Sequence, residues 1–162
     1  STTMTLIIGD CIAIALLELK GFGSKNFKSL HPGGNLGKDL KYATEIMHTK
    51  NQIPIVDQNV KMSKAIIVMT KKSFGCLGVI DKNKRIIGII TDGDLRRKMN
   101  SKFFEKKAKE IMTKNPTIAS KNILVGEAIN IMNTKKITSL FICENKKPLG
   151  IIHIHDLLRL TS

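Results

Sequence analysis

The chain has 162 residues, 27 of them Lys or Arg and 13 Asp or Glu, for a formal charge of +14, with 42% hydrophobic and 4% aromatic residues. That length suits one domain, or one domain and part of another, and 24 Ile bring more branched apolar surface than a disordered chain carries. The longest apolar run, Leu6 to Leu19, is interrupted by Asp10 and Glu18, which excludes a membrane span on run length, and no basic stretch precedes it as a secretory signal requires.

The charge itself points to no partner. Of the basic residues 23 are Lys, runs of Lys never exceed two, and they are spread along the whole chain with four Arg, one Tyr and no Trp. Nucleic-acid binders concentrate basic residues on one face and interleave aromatics for stacking, so nucleic acid is not an expected partner and the lysines read as solvated surface. Cys11, Cys76 and Cys143 are odd in number and widely spaced, which suits neither a disulfide framework nor a zinc cluster and makes a reducing cytoplasm the expected compartment.

Residues 5 to 20 are apolar on nearly every side over about four turns, a helix suited to burial inside a larger domain. With Ser1-Thr2-Thr3 ahead of it and no initiator Met, the expectation is a chain that begins partway through a domain. Residues 21 to 41 carry five Gly and a Pro and are expected to be a connector.

From Ala43 onward the sequence is duplicated, which governs every later assignment. Glu45-Ile46-Met47 recurs as Glu110-Ile111-Met112. The helical stripe Met62, Ala65, Ile66, Met69 recurs as Val125, Ala128, Ile129, Met132. GIITDGDLRR at 88–97 recurs as GIIHIHDLLR at 150–159. In each copy a short extended piece (53–56; 117–119) precedes the amphipathic helix. Two apolar strands follow (77–80 and 86–90; 140–143 and 149–152), joined by polar turns at 81–84 and 144–147, and a helix ends the copy. The fold class is α/β: two βαββα repeats of about 55 residues, each too small to bury its sheet alone, packed face to face with a cleft at the seam.

The chemistry concentrates at the duplicated strand-to-helix junction. The Asp94 carboxylate, an acceptor with two oxygens, suits the vicinal hydroxyls of a ribose, and Thr91 adds a donor and an acceptor. Gly88 leaves the strand's backbone open to close approach. Thr91-x-x-Asp94 equally fits a helix capping box that needs no ligand. In copy two Gly150 and Asp156 persist while His153 replaces the Thr, a change that capping alone does not predict. His153 and His155 would share a strand face as a metal pair does, yet three or four ligands are needed and only Asp156 stands nearby, so no metal is expected. GGNLGKD at 33–39 lacks the leading Gly and the hydroxyl of a phosphate loop.

Through Gly88, Thr91 and Asp94 and their recurrence, residues 43 to 160 resemble a tandem pair of cystathionine-beta-synthase (CBS) motifs. STTMTLIIGDCIAIALLELKGF, HPGGNLGK and EIMHTKNQIP are similar in order and spacing to the junction in D-arabinose-5-phosphate isomerases, which join a sugar isomerase (SIS) domain to a CBS pair. The resemblance implies residues 1–40 as the last helix and tail of a truncated SIS domain, 41–100 as CBS repeat 1 and 101–162 as CBS repeat 2. It implies an acid-base role for His31 in interconverting D-ribulose 5-phosphate and D-arabinose 5-phosphate. Thr2 and Thr3 would lie near the sugar phosphate, or simply cap their helix. It also implies a nucleotide held by Gly88, Thr91, Asp94, Gly150, His153 and Asp156, with CMP-Kdo as a feedback ligand on the route to lipopolysaccharide and an adenine nucleotide as the alternative. No cofactor is required. A homo-oligomer follows, a CBS dimer and a tetramer when intact, for which the two stripes offer apolar faces unless they pack within the pair. The isomerase activity belongs to the intact protein, and this chain alone is expected to be silent. The competing reading is a free-standing adenine-nucleotide sensor.

Overall fold

The computed structural model describes residues 1–23, 26 and 41–161, in two units, Ser1–Lys41 and Tyr42–Ser162. In the first, Thr2–Leu19 forms one helix, α1. Its apolar side chains lie all round rather than along a stripe, and Asp10 and Glu18 are its two charges. By length and composition alone, which the run-length reading did not weigh, α1 is long and apolar enough to cross a membrane. The core helix of a soluble protein meets the same description.

In the second unit the two repeats appear in the expected order. Copy one comprises β1 (His48–Thr49), β2 (Ile55–Asp57), α2 (Met62–Lys72), β3 (Cys76–Ile80), β4 (Ile86–Thr91) and α3 (Asp92–Lys98). After α4 (Ala108–Ile111), copy two comprises β5 (Thr113–Lys114), β6 (Ile118–Ser120), α5 (Val125–Lys135), β7 (Ser139–Glu144), β8 (Lys147–His153) and α6 (Ile154–Thr161). The local causes are the duplicated ones. Both long helices end on a left-handed residue, Ser73 at φ 59° and Lys136 at φ 53°, and the second hairpin turns through Asn145 and Lys146, both at positive φ, the combination that matches strand twist. In the first hairpin the Asp81 carboxylate accepts from the Asn83 and Arg85 amides at 2.8 and 2.9 Å.

Among the described residues the strands form two four-stranded sheets, ordered β2-β3-β4-β5 and β1-β8-β7-β6. Each repeat therefore gives its leading strand to the other. β1 pairs antiparallel with β8, His48 opposite Ile151, and β5 pairs antiparallel with β4, Thr113 opposite Ile89. The recurring Glu-Ile-Met explains how the exchange is fixed. Glu45 and Glu110 accept from the backbone amides of Tyr42 and Lys107, closing a turn. Ala43 and Ile46 pack in the core of copy two, and Ala108 and Ile111 in that of copy one. Met112 then covers Gly88, where a Cβ would lie 2.7 Å from its Cγ, and Met47 covers Gly150 at the same distance.

A third apolar cluster joins the repeats: Ile53, Phe74, Cys76, Ile80, Ile86, Phe141, Cys143 and Ile151. Gly78 of β3 and Phe141 of β7 occupy equivalent places, pairing with Ile55 and Ile118 in the parallel ladders, and they meet: a Cβ on Gly78 would come within 2.9 Å of Phe141 Cζ. The stripes of α2 and α5 lie inside the repeats' own cores, with Met62, Ala65, Met69, Val125, Ala128 and Met132 all buried. Packing within the pair thus accounts for them, and those side chains are not an available dimer face.

Gly78→Val should destabilise the fold by about 1–3 kcal/mol through overpacking, and pairing it with Phe141→Ala should recover part of the loss. Urea unfolding of the two single variants and the double variant measures this, and strictly additive losses would contradict the contact.

Candidate functional site

At the end of β4 the Thr91 hydroxyl donates to Asp94 Oδ2 at 2.8 Å, the Thr91 amide donates to the same oxygen at 3.0 Å, and the Asp94 amide donates back to Thr91 Oγ1 at 3.3 Å. Arg97 Nη2 donates to Asp94 Oδ1 at 3.0 Å. The capping box is thus formed in full, on an aspartate that is buried. Burial alone would raise the Asp94 pKa, but the hydrogen bonds from the Thr91 side chain and backbone and from Arg97, with the charge of Lys98 nearby, outweigh it and hold the carboxyl below its usual range.

Copy two keeps half of this arrangement. The His153 amide donates to Asp156 Oδ2 at 3.1 Å, so the aspartate caps through backbone alone and its persistence needs no hydroxyl at position 153. That corrects the inference from the His153 replacement: capping does account for Asp156. The same Oδ2 lies 3.0 Å from His48 Nε2 on the exchanged strand. The His155 amide donates to His153 Nδ1 at 3.3 Å, which requires an unprotonated Nδ1. Desolvation and the neighbouring His155 and His48 together lower the His153 pKa, against the opposing pull of Asp156.

A cleft of about 560 Å³ opens where the repeats meet. From copy one it is lined by Gly75, Cys76, Ile89, Thr91 and the first turn and a half of α3, including Asp92 and Arg96. From copy two come Thr113, Asn115, Pro116, Thr117 and the approach to β7 at Lys136–Ser139. Arg96 and Lys136, both exposed, bring a cation from each repeat. Burial pushes the Cys76 thiol up to about 11, so this wall of the cleft carries no thiolate at neutral pH.

Of the residues expected to hold a ligand, Thr91 lines this cleft. Asp94 is not among the lining residues, and both its oxygens accept hydrogen bonds, from Thr91 and Arg97. Gly88 and Gly150 make their close approach to Met112 and Met47 rather than to open space. Asp156 likewise is not among the residues lining this cleft: it accepts from the His153 amide beside its contact with His48. Thr2 and Thr3 sit in the first turn of α1; His31 and the 33–39 string lie outside the described residues. Among the described residues no group of three or more His, Cys, Asp or Glu is placed to hold a metal ion. Sequence reasoning missed Thr113, Lys136 and His48. Their only signal was position beside the duplicated elements: Thr113 and His48 arrive on the exchanged strands and Lys136 at the end of α5.

Asp94→Asn should cost about 1–3 kcal/mol, since it leaves buried donors poorly matched. Because the folded pKa is depressed, the stability Asp94 contributes is present above the unfolded value of about 3.9 and is lost as pH falls through the lower folded value. The variant should flatten that acid limb in pH-dependent urea unfolding. For His153 the unfolded chain binds the proton more readily, so stability should decline as pH falls below about 6.5. His153→Gln should remove that part of the dependence, and an unchanged profile would contradict the assignment.

The CBS domain model matches residues 38–101 and 108–162. The chain is 44% identical to an uncharacterized protein, RP505, of Rickettsia prowazekii (strain Madrid E), over 98% of this chain and 50% of that one. It is 40% identical to the arabinose 5-phosphate isomerase KdsD of Yersinia pestis and to that of Escherichia coli (strain K12), in each case over 98% of this chain and 49% of the relative. The chain thus spans about half the length of the curated relatives it matches. Among solved structures, CBSX2 in complex with AMP superposes with a TM-score of 0.63 at 22% identity, covering 73% of this chain and 93% of that one. The CBS domain pair of MJ0100 in complex with 5′-methylthioadenosine and S-adenosyl-L-methionine gives 0.66 at 21% identity, covering 75% and 95%. With duplicated sheets, exchanged strands and an inter-repeat cleft in place, the chain belongs to the CBS domain family, as a tandem CBS pair homologous to the CBS-containing C-terminal region of arabinose 5-phosphate isomerases.

Proposed function

We propose that this chain is the nucleotide-binding regulatory module of a D-arabinose-5-phosphate isomerase that works in the cytoplasm on the route to Kdo and lipopolysaccharide. The observation that carries the reading is the cleft at Thr91, in a chain 40% identical to such isomerases along nearly its whole length. A volume of about 560 Å³ falls within the range of small-ligand sites. Its apolar wall at Ile89 and Ile137 suits a base, its threonines suit a sugar, and Arg96 and Lys136 suit a phosphate. Thr91 touches the ligand in this reading, while Asp94 holds Thr91 in place.

The ligands named for CBSX2 and the MJ0100 pair support an adenine nucleotide. CMP-Kdo, an end-product nucleotide whose carboxylate and phosphate also match the two cations, is the feedback alternative. Binding regulates only to the extent that the ligand prefers one arrangement of the module over another. In the intact protein the isomerisation passes a proton between adjacent carbons, with His31 as an acid-base group and the SIS domain supplying the other catalytic groups. Thr2 and Thr3 lie near the substrate phosphate in that reading, and CBS pairs from two chains associate in the oligomer.

Calorimetric titration of the chain with AMP, ATP, CMP and CMP-Kdo should give binding by at least one of them. Arg96→Glu with Lys136→Glu should weaken it about tenfold or more, because both exposed cations are reversed against an anion. Failure of all four to bind would sink the reading. The chain alone should not turn over ribulose 5-phosphate, whereas the intact isomerase should, at a rate that the bound nucleotide changes.

A further inference from the structure

We infer that the cleft of copy two, the counterpart of the one at Thr91, is closed by the chain's own rings, so that the pair takes one ligand rather than two. The inference rests on the reading of the Thr91 cleft as a ligand site. The strand registers define the correspondence. Thr91 faces Cys76 as His153 faces Ser139, and Thr113 faces Ile89 as His48 faces Ile151. The left-handed caps at Ser73 and Lys136 place Phe74 and Ile137 at matching points. Three aliphatic or hydroxyl walls of the open cleft, Thr91, Thr113 and Ile137, are therefore replaced in copy two by three rings, His153, His48 and Phe74.

Those rings are packed together. Phe74 meets His48 edge-on with centroids 5.1 Å apart and lies 6.4 Å from His153. It is 9% exposed, and its carbonyl is held by the buried Ser139 hydroxyl at 2.9 Å. His48 is anchored in turn by Asp156 at 3.0 Å. The places that Thr91, Thr113 and Ile137 leave open to a ligand in the first cleft are taken in copy two by rings that contact one another, with His48 held by Asp156. An incoming ligand would have to displace a buried phenyl ring and break the His48–Asp156 pair, neither of which is required at Thr91.

The test titrates the 162-residue chain with AMP by calorimetry while NMR follows the histidine ring signals. One AMP per chain is expected, with the His48 and His153 signals unmoved; two per chain, or movement of those signals in step with saturation, overturns the inference. Grafting the copy-one walls, His48→Thr with Phe74→Ile and His153→Thr, should raise the stoichiometry from one to two in a chain shown folded by circular dichroism. A folded graft that still takes one overturns it. Should the graft not fold, Ile137→Phe should close the open cleft and reduce the stoichiometry below one, and undiminished binding would count against the closure. If the unaltered chain takes no AMP, the stoichiometry is read with whichever of ATP, CMP and CMP-Kdo binds, and if none of the four binds the reading of the Thr91 cleft fails separately. The closure is then judged without ligand: Phe74→Leu should shift both His48 and His153 ring signals, and unshifted signals overturn it.

Discussion

The arrangement depends on one intrusion, Phe141 entering the hollow left by Gly78. These residues are each other's counterparts in the duplication, so the same place is filled on one side and emptied on the other. A fully symmetric pair would put either two rings in collision or two glycines across a void, and either outcome destabilises a close-packed interior. The repeats therefore differ at their shared centre because they must, and the rest of the third apolar cluster, from Ile53 to Ile151, closes around that contact.

Much of the second unit was legible in the sequence. The stripes of α2 and α5 and the paired strands on either side of 81–84 and 144–147 are local features, set by side-chain period and turn chemistry. The exchange was not legible. β1 and β5 are two residues long, too short for any periodicity. Their partners lie about 100 residues away in one case and about 25 in the other, a separation that no local preference encodes. The letters Glu-Ile-Met and the two glycines were visible separately; that Met47 meets Gly150 and Met112 meets Gly88 is a crosswise fact of the three-dimensional structure.

The site follows the same division. The Thr91 and Asp94 pairing was readable because capping acts over three residues. Whether a ligand or a helix turn uses the aspartate was undecided from the letters; in the structure its oxygens accept from Thr91 and Arg97. Thr113 and His48 reach the seam through the exchange, and Lys136 through the left-handed end of α5, so chemistry read along the chain could not gather them.

The exchange of leading strands makes the two halves a matched set rather than two modules on a string. Severing the link between α3 and α4 would leave each piece holding the edge its partner's sheet needs, with Gly88 or Gly150 stripped of the methionine that covers it. Pieces so made should be poorly soluble apart and should recombine when mixed, as complementing fragments do. An insertion between the repeats is tolerable for the same reason wherever it leaves residues 106–114 free to lie along copy one.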